Sequence, residues 1–181
     1  MESTMSNSVF MATSLDGYIA DKNGGIDWLH TIPNQDQNSM GYVEYFDRID
    51  AMVMGRNTLD MVLGFGVDWP YSKPVFVLSN TMTSVPAGYE DKIFLVKGPL
   101  KEVIKGINEQ GFEHLYIDGG VTIQSFLKED LIDEMIITTI PVLLGGGSPL
   151  FGDLNAPLNF KFVKNEVFLN AIVQNHFVRE R

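Results

Sequence analysis

Two strand-like runs that break into glycine at the head of a helix constrain this chain more than any other feature. The first is Ala51-Met52-Val53-Met54 followed by Gly55-Arg56-Asn57-Thr58; the second is Tyr116-Ile117-Asp118 followed by Gly119-Gly120-Val121. Each junction leaves backbone N–H groups free at a helix start, where the helix dipole favours an anion and glycine lets a phosphate approach. Arg56 adds a permanently ionised planar fork suited to phosphate. Two phosphate-sized docking points in one chain point to a dinucleotide. Neither junction is a G-x-G-x-x-G fingerprint, so an ordinary Rossmann domain is not supported.

The remaining composition narrows the class. With 181 residues the chain can bury one sizeable core. A polar segment over residues 1–8 is expected to be flexible, and residues 9–181 to form a single domain. The net charge of -10 makes a general nucleic-acid or anionic-membrane surface improbable, so any phosphate is held by local backbone and one or two cations. Cysteine is absent, which excludes disulfides and thiolate metal sites. His30, His114 and His176 are scattered without metal-ligand spacing, and no metal is expected. The acidic, polar start is not a secretory signal, and no apolar run approaches the ~20 residues that span a bilayer. These features lead to the expectation of a cytoplasmic protein.

Along the chain, Val9-Phe10-Met11-Ala12 reads as a buried strand. Leu15-Asp16-Gly17-Tyr18 turns the chain, and Asn23-Gly24-Gly25 marks a loop. Tyr42, Tyr45, Phe46 and Ile49 fall on one helical face. The strand at 51–54 and a short helix opened by Asn57-Thr58 follow, then strands at 74–78 and 93–96. Leu100, Val103, Ile104 and Ile107 mark a helix that Gly111 ends. His114-Leu115-Tyr116-Ile117 leads into the second glycine corner and a helix with Ile123, Phe126 and Leu127. A long strand is expected over 134–143, ending at Gly145-Gly146-Gly147. An antiparallel hairpin is expected over 160–168 and 171–179. Alternating strands and helices give an α/β fold with a mostly parallel sheet, which the C-terminal hairpin makes mixed.

Several stretches then match a family. Leu15-Asp16-Gly17-Tyr18-Ile19-Ala20, Met54-Gly55-Arg56-Asn57-Thr58, and the joined segment from Asp118-Gly119-Gly120 through Leu131-Ile132-Asp133-Glu134 to Pro141-Val142-Leu143-Leu144-Gly145-Gly146-Gly147 occur in order. In this the chain resembles the dihydrofolate reductase superfold, and more closely the reductase domain of the bifunctional riboflavin-biosynthesis deaminase–reductase. The resemblance implies a single-domain, three-layer dihydrofolate reductase-like fold. It also implies an NADPH-dependent oxidoreductase that passes hydride to a pyrimidine or pterin-like substrate, such as a ribosylamino-pyrimidine. By resemblance, Gly55, Arg56, Asn57 and Thr58 hold the pyrophosphate and the 2′-phosphate side. Leu78, Ser79 and Asn80, with Lys97, line the adenosine pocket. Gly119, Gly120, Val121, Thr122 and Ile123 cradle the other phosphate face, and Ala12 and Ile19 border the nicotinamide. The same resemblance implies a homodimer, for which Pro141-Val142-Leu143-Leu144 with Phe151 offers an apolar strip, and a cis bond between Gly119 and Gly120.

Two acids are catalytic candidates. Folate-reducing members carry a carboxylate at the start of the first helix, and Asp36 is the acid of that segment here. In the riboflavin branch an acid directly precedes the glycine pair and contacts the substrate ribose; Asp118 fills that position, and it could instead cap the following helix. A dihydrofolate reductase proper and a non-catalytic nucleotide-binding protein on the same fold are the alternatives. The zinc deaminase half is missing, since a chain without Cys cannot supply its thiolate ligands. Gly145-Gly146-Gly147 precedes Pro rather than a helix and reads as a structural turn. Trp28 is open between core packing and a substrate-facing role.

Overall fold

The computed structural model describes residues 5–181. Strands β1 (Ser6–Ser14), β3 (Ala51–Gly55), β4 (Val75–Leu78), β5 (Ile93–Val96), β6 (His114–Asp118), β7 (Glu134–Ile140), β9 (Phe160–Phe168) and β10 (Ile172–Arg179) form an eight-stranded sheet ordered β5-β4-β3-β6-β1-β7-β10-β9. Pairing is parallel from β5 to β7, and β10 runs antiparallel to both β7 and β9. The apolar run Ala51-Met52-Val53-Met54 is buried throughout, as expected of a parallel strand covered on both faces. Its alternation splits the core in two. Ala51 and Val53 join Val103 and Ile107 of α3 (Leu100–Asn108) and Ile123, Phe126 and Leu127 of α4 (Gly120–Lys128). Met52 and Met54 join Tyr45 of α1 (Tyr42–Asp47) and Leu59 of α2 (Arg56–Gly64) on the opposite face. This is the expected three-layer, mostly parallel α/β architecture.

The hairpin closes through Leu169 and Asn170, both at positive φ (52° and 53°), with Ala171 N–H donating to Phe168 O at 3.0 Å. Strand β1 begins at Ser6, three residues before the expected start. Asn7 fixes this end: its N–H donates to Asp133 Oδ2 and its side chain donates to Leu131 O, both at 2.8 Å. Residues 1–4 of the segment expected to be flexible lie outside the described residues. Strand β7 stops at Ile140 rather than continuing to 143, because Pro141 brings no N–H and Val142 N–H turns back onto Ile140 O at 2.8 Å. Two short strands, β2 (Tyr18–Ala20) and β8 (Ser148–Pro149), pair into a small second sheet that carries no sequence period. No helix of the described residues is long and apolar enough to cross a membrane.

Candidate active site

The two glycine corners meet at the C-terminal edge of the parallel strands. β3 and β6 are neighbours, with Met54 opposite Asp118, so α2 and α4 start side by side on opposite faces of the sheet. The corners interlock: a Cβ on Gly55 would meet Thr122 Oγ1 at 2.9 Å, and one on Gly119 would collide with Thr58 Oγ1. Neither helix has a side-chain cap. The first-turn N–H groups of Arg56, Asn57 and Thr58, and of Gly120, Val121 and Thr122, are therefore left for an anion. Ile123 differs: its N–H already donates to Gly119 O at 2.8 Å and its side chain is buried in the core. The Gly119–Gly120 peptide is trans, which corrects the expected cis bond. The corner is made by Gly119 at φ 94°, which glycine adopts without a Cβ clash.

Beside this edge, Ser79, Asn80, Met82, Thr83, Leu95, Val96 and Lys97 line a cleft of about 370 Å³ at the ends of β4 and β5. Leu78 sits opposite Gly55 and packs into the core. Ser79 Oγ accepts from the N–H of Met82 at 3.0 Å, fixing the turn after β4. The Arg56 side chain is 53% exposed; Nη1 donates to Thr81 Oγ1 at 3.4 Å, and Nε lies 3.5 Å from Asp60 Oδ2. Such exposed pairs are weak and exchange readily for a phosphate.

On the other side, Ile19 Cδ1 packs at Gly120, within 2.8 Å of a virtual Cβ there. Ala12, near the end of β1, faces Thr138. The loop between β1 and β2 is held by Asp16, whose carboxylate accepts from Ser14 Oγ at 2.6 Å and from the N–H groups of Leu144 at 3.1 Å and Gly145 at 2.8 Å. These bonds, the Ser14 hydroxyl first, pull its pKa down to about 2. The glycine run at 145–147 is thus a structural turn. Trp28 is 7% exposed and packs with Ile140 and Ile172, which makes it a core residue.

Asp118 ends β6, half-buried, on the same face as Tyr116. Burial pushes its pKa up to about 6, against the Gly119 N–H, which donates to Oδ1 at 2.9 Å. That bond to its own neighbour replaces a cap on α4, and among the described residues none hydrogen-bonds Oδ2. Burial, and after it the Asp118 charge, raises the phenol pKa values of Tyr71 and Tyr116 and pushes that of Tyr42 up to about 12. The rings pack edge to face: Phe10–Tyr42 at 5.5 Å, Tyr42–Tyr116 at 6.4 Å, Trp69–Tyr71 at 5.2 Å. The helical spacing of Tyr42 and Tyr45 was legible as a packing face, but nothing in it shows that the face leads to Asp118. Asp36 lies exposed on the loop preceding α1.

Behind Phe10 and Tyr45 is a larger cavity of about 600 Å³. There Arg48 donates through both terminal nitrogens to Glu134, at 2.9 and 2.6 Å, and His176 Nε2 lies 2.5 Å from the same carboxylate.

A family model described as the RibD C-terminal domain matches residues 8–174. The chain is 35% identical over 175 residues to the uncharacterized protein YwjB of Bacillus subtilis, covering 94% of this chain and 96% of that one. Among solved structures, it resembles a putative riboflavin biosynthesis protein from Shewanella sp. PV-4, with TM-score 0.96, 64% identity, and coverage of 98% and 100%. At the level of fold it resembles a Thermotoga maritima diaminohydroxyphosphoribosylaminopyrimidine deaminase/5-amino-6-(5-phosphoribosylamino)uracil reductase (TM-score 0.73, 16% identity, 97% of this chain, 57% of that one). A dihydrofolate reductase from Enterococcus faecalis complexed with NADP(H) shares the fold as well (TM-score 0.65, 16% identity, 97% of each). The chain belongs to the RibD C-terminal domain family of reductases and carries its dihydrofolate reductase-like fold.

Proposed function

We propose that this protein is an NADPH-dependent reductase of a small nitrogen heterocycle, working in the cytoplasm. The observation that carries the reading is the meeting of two uncapped helix N-termini at one sheet edge, next to a cleft lined by Ser79, Asn80 and Lys97, with Arg56 hydrogen-bonded to Thr81 in the turn after β4. The residues fit the cofactor. Open N–H groups of α2 and α4 suit the two phosphates of the pyrophosphate, and the corner glycines leave no Cβ in the way. Arg56, with Ser79, reads the 2′-phosphate through charge-assisted hydrogen bonds. Lys97, Asn80 and Leu78 shape the adenosine end, while Ala12 and Ile19 border the nicotinamide. When bound, NADPH supplies a hydride. The chain's own task is to hold the acceptor ring in line and keep water out; Asp118 holds the acceptor through its free Oδ2. The reductase family and the NADP(H) complex of the fold neighbour support this reading.

Isothermal titration tests it. Wild-type protein should bind NADPH, and Arg56→Ala should weaken NADPH by about tenfold more than NADH, the effect of one charge-assisted bond. Equal losses would show that Arg56 does not read the 2′-phosphate, and no NADPH binding at millimolar concentration would end the reading.

A further inference from the structure

The sheet ends very differently on its two sides. At one edge β5 spans four residues, too short to template much; at the other β9 spans nine. Among the described residues no strand lies beyond β9, and its positions 161–167 are exposed on both faces. Phe162, Val163 and Val167 keep 53%, 47% and 64% of their surface in water. A long apolar edge without proline takes on another strand unless charge prevents it. The backbone at this edge is also set for pairing. Ala171 N–H donates to Phe168 O, so the Phe168 carbonyl points inward to β10. Alternate residues of a strand bond to opposite sides, so Asn165 and Val167 turn their N–H and C=O groups to the open edge.

The charges on β9 are arranged to admit one partner. Phe162-Val163-Lys164-Asn165-Glu166-Val167-Phe168 reads alike from both ends about Asn165, except that a cation on one side answers an anion on the other. We propose that β9 pairs antiparallel with β9 of a second copy of this chain, about a two-fold axis through Asn165 normal to the sheet. Asn165 then exchanges both backbone bonds with the partner's Asn165. Lys164 lies opposite the partner's Glu166, and Glu166 opposite the partner's Lys164. Val163 and Val167 lie opposite the partner's Val167 and the partner's Val163. An axis at Lys164 or at Glu166 would set like charges directly opposite, so charge fixes the register. Within one chain Lys164 Nζ already lies 3.3 Å from Glu166 Oε2; pairing turns this exposed couple into a ring of four alternating charges. The two eight-stranded sheets continue into one, and neither keeps β9 as an edge. Lys164, Glu166 and Phe168 also line the cavity behind Tyr45. The cavities of the two copies therefore open on the same face, either side of the seam.

Charge reversal with light scattering at micromolar concentration tests the proposal. Wild type should have twice the 20.2 kDa of one chain. Lys164→Glu sets four carboxylates at the seam and Glu166→Lys four ammonium groups; each should weaken association about tenfold or more. Mixing these two variants should restore the dimer as a mixed pair, detected with a tag on one of them, and the double exchange K164E/E166K should restore it in one chain. Asn165→Pro removes an outward N–H, leaves the bonds to β10 in place, and should give 20.2 kDa. Far-UV circular dichroism verifies that each variant is folded. A monomeric wild type overturns the proposal. So does a dimer that survives both Lys164→Glu and Asn165→Pro, which would lie on another surface, and so does a failure of the two charge variants to pair on mixing.

Discussion

Asp118 keeps a carboxylate where the sheet ends among tyrosine rings, and that placement works against stability. Its pKa of about 6 in the folded chain lies above the ~3.9 of an unstructured one. Well below pH 4 the group is protonated in both states and neutral to folding; between about pH 4 and 6 only the unfolded chain ionises, so the penalty for its burial grows through that window and is full and constant above it. Asp118→Asn should therefore be more stable than wild type by about 1–3 kcal/mol at pH 8 and show no gain at pH 4, as measured by denaturant unfolding. An Asn variant less stable at pH 8 would contradict this account of its burial. Retaining such a residue is the usual trade of stability for a working site. Its position was legible because it closes an apolar run just before two glycines. Its tyrosine neighbours were not, because Tyr42 and Tyr71 come from a helix and a loop that only the folded sheet brings to the end of β6. Whether it caps α4 or stays free for a ligand turned on one bond, Gly119 N–H to Oδ1, which no sequence pattern encodes.

The elements legible in the sequence were those with a strong local signal. Strands β3 and β6 with helices α2 and α4 declare themselves through an apolar run, a glycine and a helical spacing in immediate succession. The hairpin of β9 and β10 does so through alternation. By contrast β2 and β8 span three and two residues, too short for any period, and exist because Asp16 clasps Leu144 and Gly145. Asp16→Ala should accelerate hydrogen exchange at the Leu144 and Gly145 amides while leaving those of β3 protected; unchanged exchange would show the loop is held by other means. At the α4 corner, Gly119→Ala forces a side chain into φ 94° and against Thr58. We expect a loss of about 1–3 kcal/mol, read by thermal unfolding, together with weaker NADPH binding. Full stability in that variant would mean that the corner can adopt another backbone course.

For the whole molecule, the homodimer is an expectation about surface. The strip proposed for it divides in the folded chain: Val142 and Leu144 pack with Trp28, while Leu143 and Phe151 stay exposed. Phe162, Val163 and Val167 of the edge strand β9 are exposed as well, so apolar surface remains for a two-fold contact. Light scattering at micromolar concentration should give twice 20.2 kDa; a mass of 20.2 kDa would show a monomer. The order of strands has a consequence for how the chain reaches this state. β1 is synthesised before every other strand of the sheet yet lies in its middle, and its partners arrive far later: Ser6 meets His114 across 108 residues, and Asn7 meets Asp133 across 126. Until those segments are synthesised, β1 has both edges unpaired and its apolar residues in search of a cover. Folding must wait for most of the chain, closing large loops before any central pairing rewards it, and belongs to the slow regime of high contact order. A nascent chain of this design is most exposed to aggregation, and to chaperones, in the interval before β6 and β7 leave the exit tunnel.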